Sequence, residues 1–165
     1  EIYVPFLMPD QRPDDADGWR AFGARLVTAG KPLRDAGLTF GWHNHDFEFK
    51  ALSTGELPMD LILDGNDLSF EFDVAWATVA GVDPQTTIAK HTGRITAAHI
   101  KDRAPQGECA DEDGWADVGH GVLDWSALTA ALKSAGCTNF VMEHDNPSDD
   151  QRFASRSIAH LQTLI

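Results

Sequence analysis

The sequence predicts an α/β protein built on a parallel sheet. Apolar runs of strand length alternate with helix-like stretches along the whole chain, in the order β-α-β-α-β-α-β-α-β-α. Such alternation means parallel strands joined by crossover helices. Four of the runs also end in residues of metal-ligand type: Leu38–His45, Leu68–Asp73, Ile95–Asp102 and Asn139–Asp145. Strand ends of one polarity converge on one face of a parallel fold, and that face is where chemistry sits.

The first strand is expected over Tyr3–Leu7, closed by Met8-Pro9. Trp19, Phe22 and Leu26 then recur at helical spacing. Gly30-Lys31-Pro32 is expected to break or kink that helix, because proline lacks a backbone donor and clashes one turn back. Leu33 continues the apolar face and Gly37 is a suitable stop. After the second strand, Gly55–Asp67 reads as loop with a short apolar stretch at Met59–Leu63. The third strand follows. Asp83-Pro84 is a strong helix start, a capping side chain followed by proline in the first turn, and that helix ends near Gly93. A long Gly- and acid-rich loop is expected from Arg103 to Val122. Asp124 caps a helix carrying Trp125, Leu128 and Leu132, stopped by Gly136. The last helix carries Phe153, Ile158, Leu161 and Ile165. Five strands and five helices could build an open doubly wound sheet; a closed (β/α)8 barrel needs three more units and roughly 250 residues.

Composition narrows the function classes. The chain has 165 residues, 42% of them hydrophobic, which suffices for one globular domain over residues 1–165. Its 26 acidic and 13 basic residues give a formal net charge of −13, which argues against nucleic acid or an anionic membrane as partner. The runs Asp111-Glu112-Asp113 and Asp14-Asp15 read as solvated surface. Cys109 and Cys137 form neither a disulfide scaffold nor a zinc-ribbon spacing, so a reducing cytoplasm is the expected location. No run of about twenty apolar residues is present. The chain begins at Glu1 and not at Met, so earlier residues are expected in the native protein.

Strand parity selects the side chains that reach the site, because successive residues alternate faces. With Phe40 and Trp42 toward the helices, Thr39, Gly41, His43 and His45 face inward. Phe70 and Phe72 point outward, so Glu71 and Asp73 point in. Ala97, His99 and Lys101 share the inward parity with Ile95, and Val141 shares a parity with Glu143. A lysine buried without a partner is costly, so Lys101 serves either a function or a buried ion pair with a carboxylate. His91, His120, His144 and His160 read as ordinary structural or surface histidines. Imidazole and carboxylate donors without thiolate suit Mn²⁺ first, with Mg²⁺, Co²⁺ or Zn²⁺ as alternatives. Such an ion can polarise a carbonyl while a nearby base moves a proton on the adjacent carbon. There is no P-loop, and Gly119-His120-Gly121 reads as a turn that could bind an anion at the start of the Asp124 helix.

Taken in order, His43-Asn44-His45-Asp46-Phe47-Glu48-Phe49, Phe72-Asp73-Val74, His99-Ile100-Lys101-Asp102, Gly119–Trp125 and Val141-Met142-Glu143 resemble the sugar phosphate isomerase/epimerase family, the xylose isomerase-like group of TIM barrels. The resemblance covers the chain from its first strand onward. It implies a partial (β/α)8 barrel, with the five strands here matching strands four to eight of a longer protein. It also implies a divalent metal held by Asp73, His99 and Glu143. The fourth family ligand is a Glu where this chain has His43, so either His43 replaces it or Glu48 reaches back. That family Glu moves a proton in epimerases, which makes His45 or Glu48 the candidate second acid/base beside Glu143, with Lys101 stabilising oxyanion charge. The implied activity is a sugar isomerase or epimerase working through an enediolate on a small sugar substrate. A dehydratase or lyase acting on a keto-sugar or inosose is the alternative, since the His-Asn-His form is similar to that of relatives acting by elimination. A trinuclear zinc endonuclease in the same superfamily needs more His ligands than this chain supplies. Read as half a barrel, the chain would have open edges, which invite self-association into a homo-oligomer or leave an inactive fragment.

Overall fold

The computed structural model describes all 165 residues. Five parallel strands form one sheet in the order β1-β2-β3-β4-β7: β1 (Ile2–Val4), β2 (Phe40–His43), β3 (Ser69–Asp73), β4 (Ile95–Ile100) and β7 (Asn139–Met142). Helices α1 (Ala16–Asp35), α2 (Pro58–Leu63), α3 (Val74–Val79), α4 (Pro84–Lys90), α5 (Trp125–Ser134) and α6 (Asp150–Leu161) connect and follow the strands. This is a half-barrel of the TIM type, with β1 and β7 each paired on one side alone. The core lies between sheet and helices and contains Trp42, Phe70, Phe72, Ile88, Leu128 and Leu132. No helix is long and apolar enough to cross a membrane.

The expected break at Gly30-Lys31-Pro32 does not occur: α1 runs through Pro32 to Asp35. Its buried stripe of Trp19, Phe22, Leu26 and Gly30 is continuous, and Leu33 packs on the same core. Gly30 lies so close under the Phe40 ring that a Cβ would overlap it. Pro32 stands within the last turn, so it removes one hydrogen bond near an end that frays in any case, and the buried stripe outweighs that loss.

Parity is as expected in β2 and β3: Trp42, Phe70 and Phe72 are fully buried against the helices. In β4 the register shifts, since Phe70 pairs with Ile95 but Glu71 pairs with Ala97. The extra residue, Thr96, bonds the Tyr3 hydroxyl across the inner face at 2.7 Å. A one-residue slip inverts which side chains face the core. Ile95 therefore joins the apolar core, contrary to its simple alternation with His99.

Three further features differ from expectation. Residues 58–63 form α2, and α3 begins directly after β3. The long loop after β4 contains a two-stranded antiparallel hairpin, β5 (Asp102–Arg103) with β6 (Trp115–Ala116). In α6 the buried positions are Ser157 and Leu161, while Ile158 is exposed; Ile165, also exposed, lies beyond the end of the helix. The Ser157 hydroxyl accepts from the Val118 N–H at 3.0 Å, which is why a polar residue holds the buried face.

Gly41 fixes the spacing of the two strands that carry the inner face. A Cβ there would fall on the Ser69 main-chain carbonyl of β3. The obstacle is backbone, so β2 would have to move away as a unit. Gly41→Ala is expected to destabilise the protein by about 3 kcal/mol or more in urea unfolding, and a loss below about 1 kcal/mol would contradict this packing.

Candidate metal centre

The inner face at the strand ends gathers His43 from β2, Asp73 from β3 and His99 from β4. One donor atom from each lies within 4.8 Å of the others. Pairing of Asp73 with His99 sets two of them side by side. Asp73 divides its carboxylate: Oδ1 accepts from the Trp76 N–H at 2.8 Å and so caps α3, while Oδ2 stands 3.6 Å from His99 Nδ1. Glu143, one residue beyond β7, brings Oε2 to 3.9 Å from the same His99 nitrogen. His43 and His99 are tilted against each other, ring centroids 4.3 Å apart.

A resident cation fits this donor set. Asp73 Oδ2 and His99 Nδ1 are buried and neither has a hydrogen-bond partner. Buried polar atoms are otherwise almost always paired. Two imidazoles and two carboxylates suit a divalent ion of the Mn²⁺ to Zn²⁺ range.

Lys101, fully buried, is not an isolated cation. Its Nζ binds Glu143 Oε2 at 2.9 Å and also Asp145. The buried ion pair weighed from sequence is therefore present, and it joins Lys101 to the Glu143 candidate. The ammonium also lies 4.1 Å from the ring centroid of Trp115 and 5.1 Å from that of Trp76, a cation–π enclosure on two sides. Trp115 comes from the β5–β6 hairpin, within the segment expected to be loop.

His45 and Glu48 separate. The His45 ring lies 5.1 Å from His43 and 5.4 Å from Trp76, at the edge of the cluster, and its Nδ1 is unpartnered. Burial, aided by the neighbouring His43, pushes its pKa down to about 4, so the ring is neutral at pH 7. Glu48 does not reach back toward His43, Asp73 and His99. Its two oxygens accept from Trp42 Nε1 at 2.8 Å and from the His45 N–H at 2.9 Å. Burial pushes its pKa up to about 7.

Two residues without an assigned role in the sequence prove important. Glu71 Oε2 lies 3.2 Å from His43 Nδ1 and 3.4 Å from His99 Nε2; its inward parity was the signal. Burial alone would raise its pKa, but the two imidazoles bring it down to about 2. Asp102 is fully buried and accepts the N–H groups of Arg103, Gly119, Gly121 and Leu123. The anion received by the Gly119-His120-Gly121 turn is thus the Asp102 carboxylate itself. His91, His120, His144 and His160 lie elsewhere: His91 beside Asp60, His120 against Arg156, His144 near Glu112 and Phe153, and His160 under Gly119.

The cluster carries a pH signature. Burial disfavours charge on His99, yet Asp73 and Glu71 outweigh it and raise its pKa to about 9. A raised histidine pKa stabilises the fold fully below about 6.5, and this stability is lost as pH rises to 9. Glu48 acts in the same direction between 4.5 and 7. In chelator, the melting temperature should fall from pH 6.5 to 9, and His99→Gln should flatten that decline. An unchanged slope in the variant would contradict the assignment.

With this geometry established, the comparisons place the chain. A family model for the xylose isomerase-like TIM barrel matches residues 2–164, and the chain belongs to that family. Similar solved structures include a sugar phosphate isomerase/epimerase from Parabacteroides distasonis ATCC 8503, at 23% identity and TM-score 0.76, covering 92% of this chain and 54% of that one. A second sugar phosphate isomerase/epimerase from the same organism aligns at 25% identity and TM-score 0.73, covering 98% and 57%. An IOLI protein with a bound zinc atom aligns at 15% identity and TM-score 0.70, covering 97% and 60%. The chain thus spans little more than half the length of these structures. None of the curated proteins matches it in sequence.

Proposed function

We propose that this chain is the C-terminal part of a divalent-metal-dependent sugar isomerase or epimerase that transfers a proton through an enediolate. The observation that carries this is the convergence of His43, Asp73 and His99 from three strand ends, one donor atom of each within 4.8 Å of the others, with Asp73 Oδ2 and His99 Nδ1 buried and unpartnered. Family membership and the sugar isomerase/epimerase neighbours support it, as does the zinc atom of the IOLI protein.

His43, Asp73, His99 and Glu143 would hold the ion, with Mn²⁺ the first candidate. A divalent cation bound there supplies Lewis-acid polarisation of a substrate carbonyl. Glu143 takes the proton from the carbon beside that carbonyl. Lys101, held at 2.9 Å from Glu143, offers positive charge to the developing oxyanion. Its enclosure by Trp76 and Trp115 keeps the ammonium in place and excludes water. His45, neutral and with a free Nδ1, is the proposed second proton-transfer group; Glu48, with both oxygens occupied, is not.

Elimination is the second reading, favoured by His43 standing where the family has Glu and by Glu48 being occupied by Trp42 and the His45 N–H, so that the second carboxylate of a two-carboxylate epimerisation is not in place. Incubation with a panel of keto-sugars in D₂O separates the readings. Metal-dependent deuterium uptake beside the carbonyl without loss of water supports isomerisation or epimerisation, and net loss of water or an aglycone supports the lyase. Absence of exchange with every sugar, with or without Mn²⁺, would overturn both. The unpaired β1 and β7 edges further predict that these 165 residues self-associate; a strictly monomeric sedimentation profile with a cooperative thermal transition would contradict this.

A further inference from the structure

Glu71 stands out as a carboxylate that the proposed reaction does not use. It lies between Phe70 and Phe72, both fully buried, and its own side chain is 14% exposed. A carboxylate in such a place needs compensation. It receives no hydrogen bond from a main-chain N–H or a hydroxyl; its ion-pair partners are His43 and His99, both reached by the one oxygen Oε2.

The two nitrogens of His99 face different groups. Nδ1 looks toward Asp73 Oδ2 at 3.6 Å and Glu143 Oε2 at 3.9 Å. Nε2 looks toward Glu71 Oε2 at 3.4 Å. The two ring nitrogens of an imidazole point away from each other, so one ion cannot occupy both sides. An ion on the Asp73 and Glu143 side leaves Nε2 to donate its proton elsewhere. Histidines that hold metals commonly give that second N–H to a carboxylate, which sets the tautomer and the ring orientation.

We infer that Glu71 is a positioning residue of the metal centre: it holds the Nε2 side of His99, together with the neighbouring His43, and so aims His99 Nδ1 at Asp73 and Glu143. This rests on the metal-dependent reading above for its purpose, but the contact itself can be tested without metal. The strand register makes the arrangement possible. Glu71 and Asp73 share the inner face of β3, two residues apart, and the imidazole of His99 reaches both.

The test compares wild type with Glu71→Gln, with the remote surface variant Glu56→Gln as control. In the metal-free protein, the ring resonances of His43 and His99 should shift in Glu71→Gln and stay in place in Glu56→Gln. In Mn²⁺ calorimetry, Glu71→Gln should bind about 10- to 100-fold more weakly. Water-proton relaxation should then count the same number of inner-sphere waters on Mn²⁺ in the variant as in wild type. An added inner-sphere water would overturn the inference, because it would make Glu71 a ligand. Unchanged ring resonances would overturn it as well, whether or not metal binds. Wild type that binds no metal while the ring resonances still respond would refute the metal-dependent reading and leave Glu71 as an orienting group for the two histidines alone.

Discussion

A His99→Ala variant is expected to bind Mn²⁺ more than about 100-fold more weakly than wild type, beyond the range typical of residues that only support a ligand. His99 is the hub of the cluster. Its Nδ1 faces Asp73 and Glu143, its Nε2 faces Glu71, and its ring leans on His43. Alanine would leave three carboxylates facing one another with one imidazole fewer to balance them. The fold should survive, since the ring lies on the inner face and is 18% exposed in its side chain, outside the apolar core. Calorimetry checks the affinity and circular dichroism checks the fold. Unaltered Mn²⁺ affinity in a folded variant would remove His99 from the centre.

The second large effect is expected at Asp102, which contacts no proposed ligand. Asp102→Ala should cost about 4 kcal/mol or more in urea unfolding, because four main-chain N–H groups lose a charged acceptor inside the protein. Gly121 shows how tight the cradle is, since a Cβ there would overlap the Arg103 carbonyl and the Asp102 carboxylate. Asp102→Asn should fall between, as one oxygen remains an acceptor while the amide turns donors toward donors. The loop carries Trp115 over Lys101, so the variant should also weaken that enclosure. A loss under about 1 kcal/mol in Asp102→Ala would show that water replaces the carboxylate without penalty.

The strand ends were legible because the phenylalanines and tryptophans that bury against helices sit at alternate positions to the polar residues. Phe70 and Phe72 alone are enough to turn Glu71 and Asp73 inward. The helix starts at Asp83 and Asp124 were equally readable, because each aspartate caps the turn that follows it: Asp83 accepts from Thr86 N and Asp124 from Ala127 N. What escaped depends on contacts between distant segments. Pro32 is tolerated because of what α1 buries, not because of its own turn. Ile95 faces the core because β4 carries one extra residue against β3. Asp102 adjoins Lys101 in sequence, but its partners lie seventeen to twenty-one residues on. The resemblance allows Glu48 to reach back from its loop in place of the family Glu, whereas the turn at Phe47–Phe49 swings its carboxylate onto Trp42. Local pattern specifies faces and caps; closing a loop onto a buried carboxylate is a tertiary event that no local pattern encodes.

The most direct measurement is anomalous X-ray diffraction from crystals of the protein grown with Mn²⁺. A single strong anomalous peak is predicted among His43, Asp73, His99 and Glu143, within coordination distance of the donor atoms that now lack partners. A peak elsewhere, or none at saturating Mn²⁺, would contradict the claim that these strand ends assemble a metal centre.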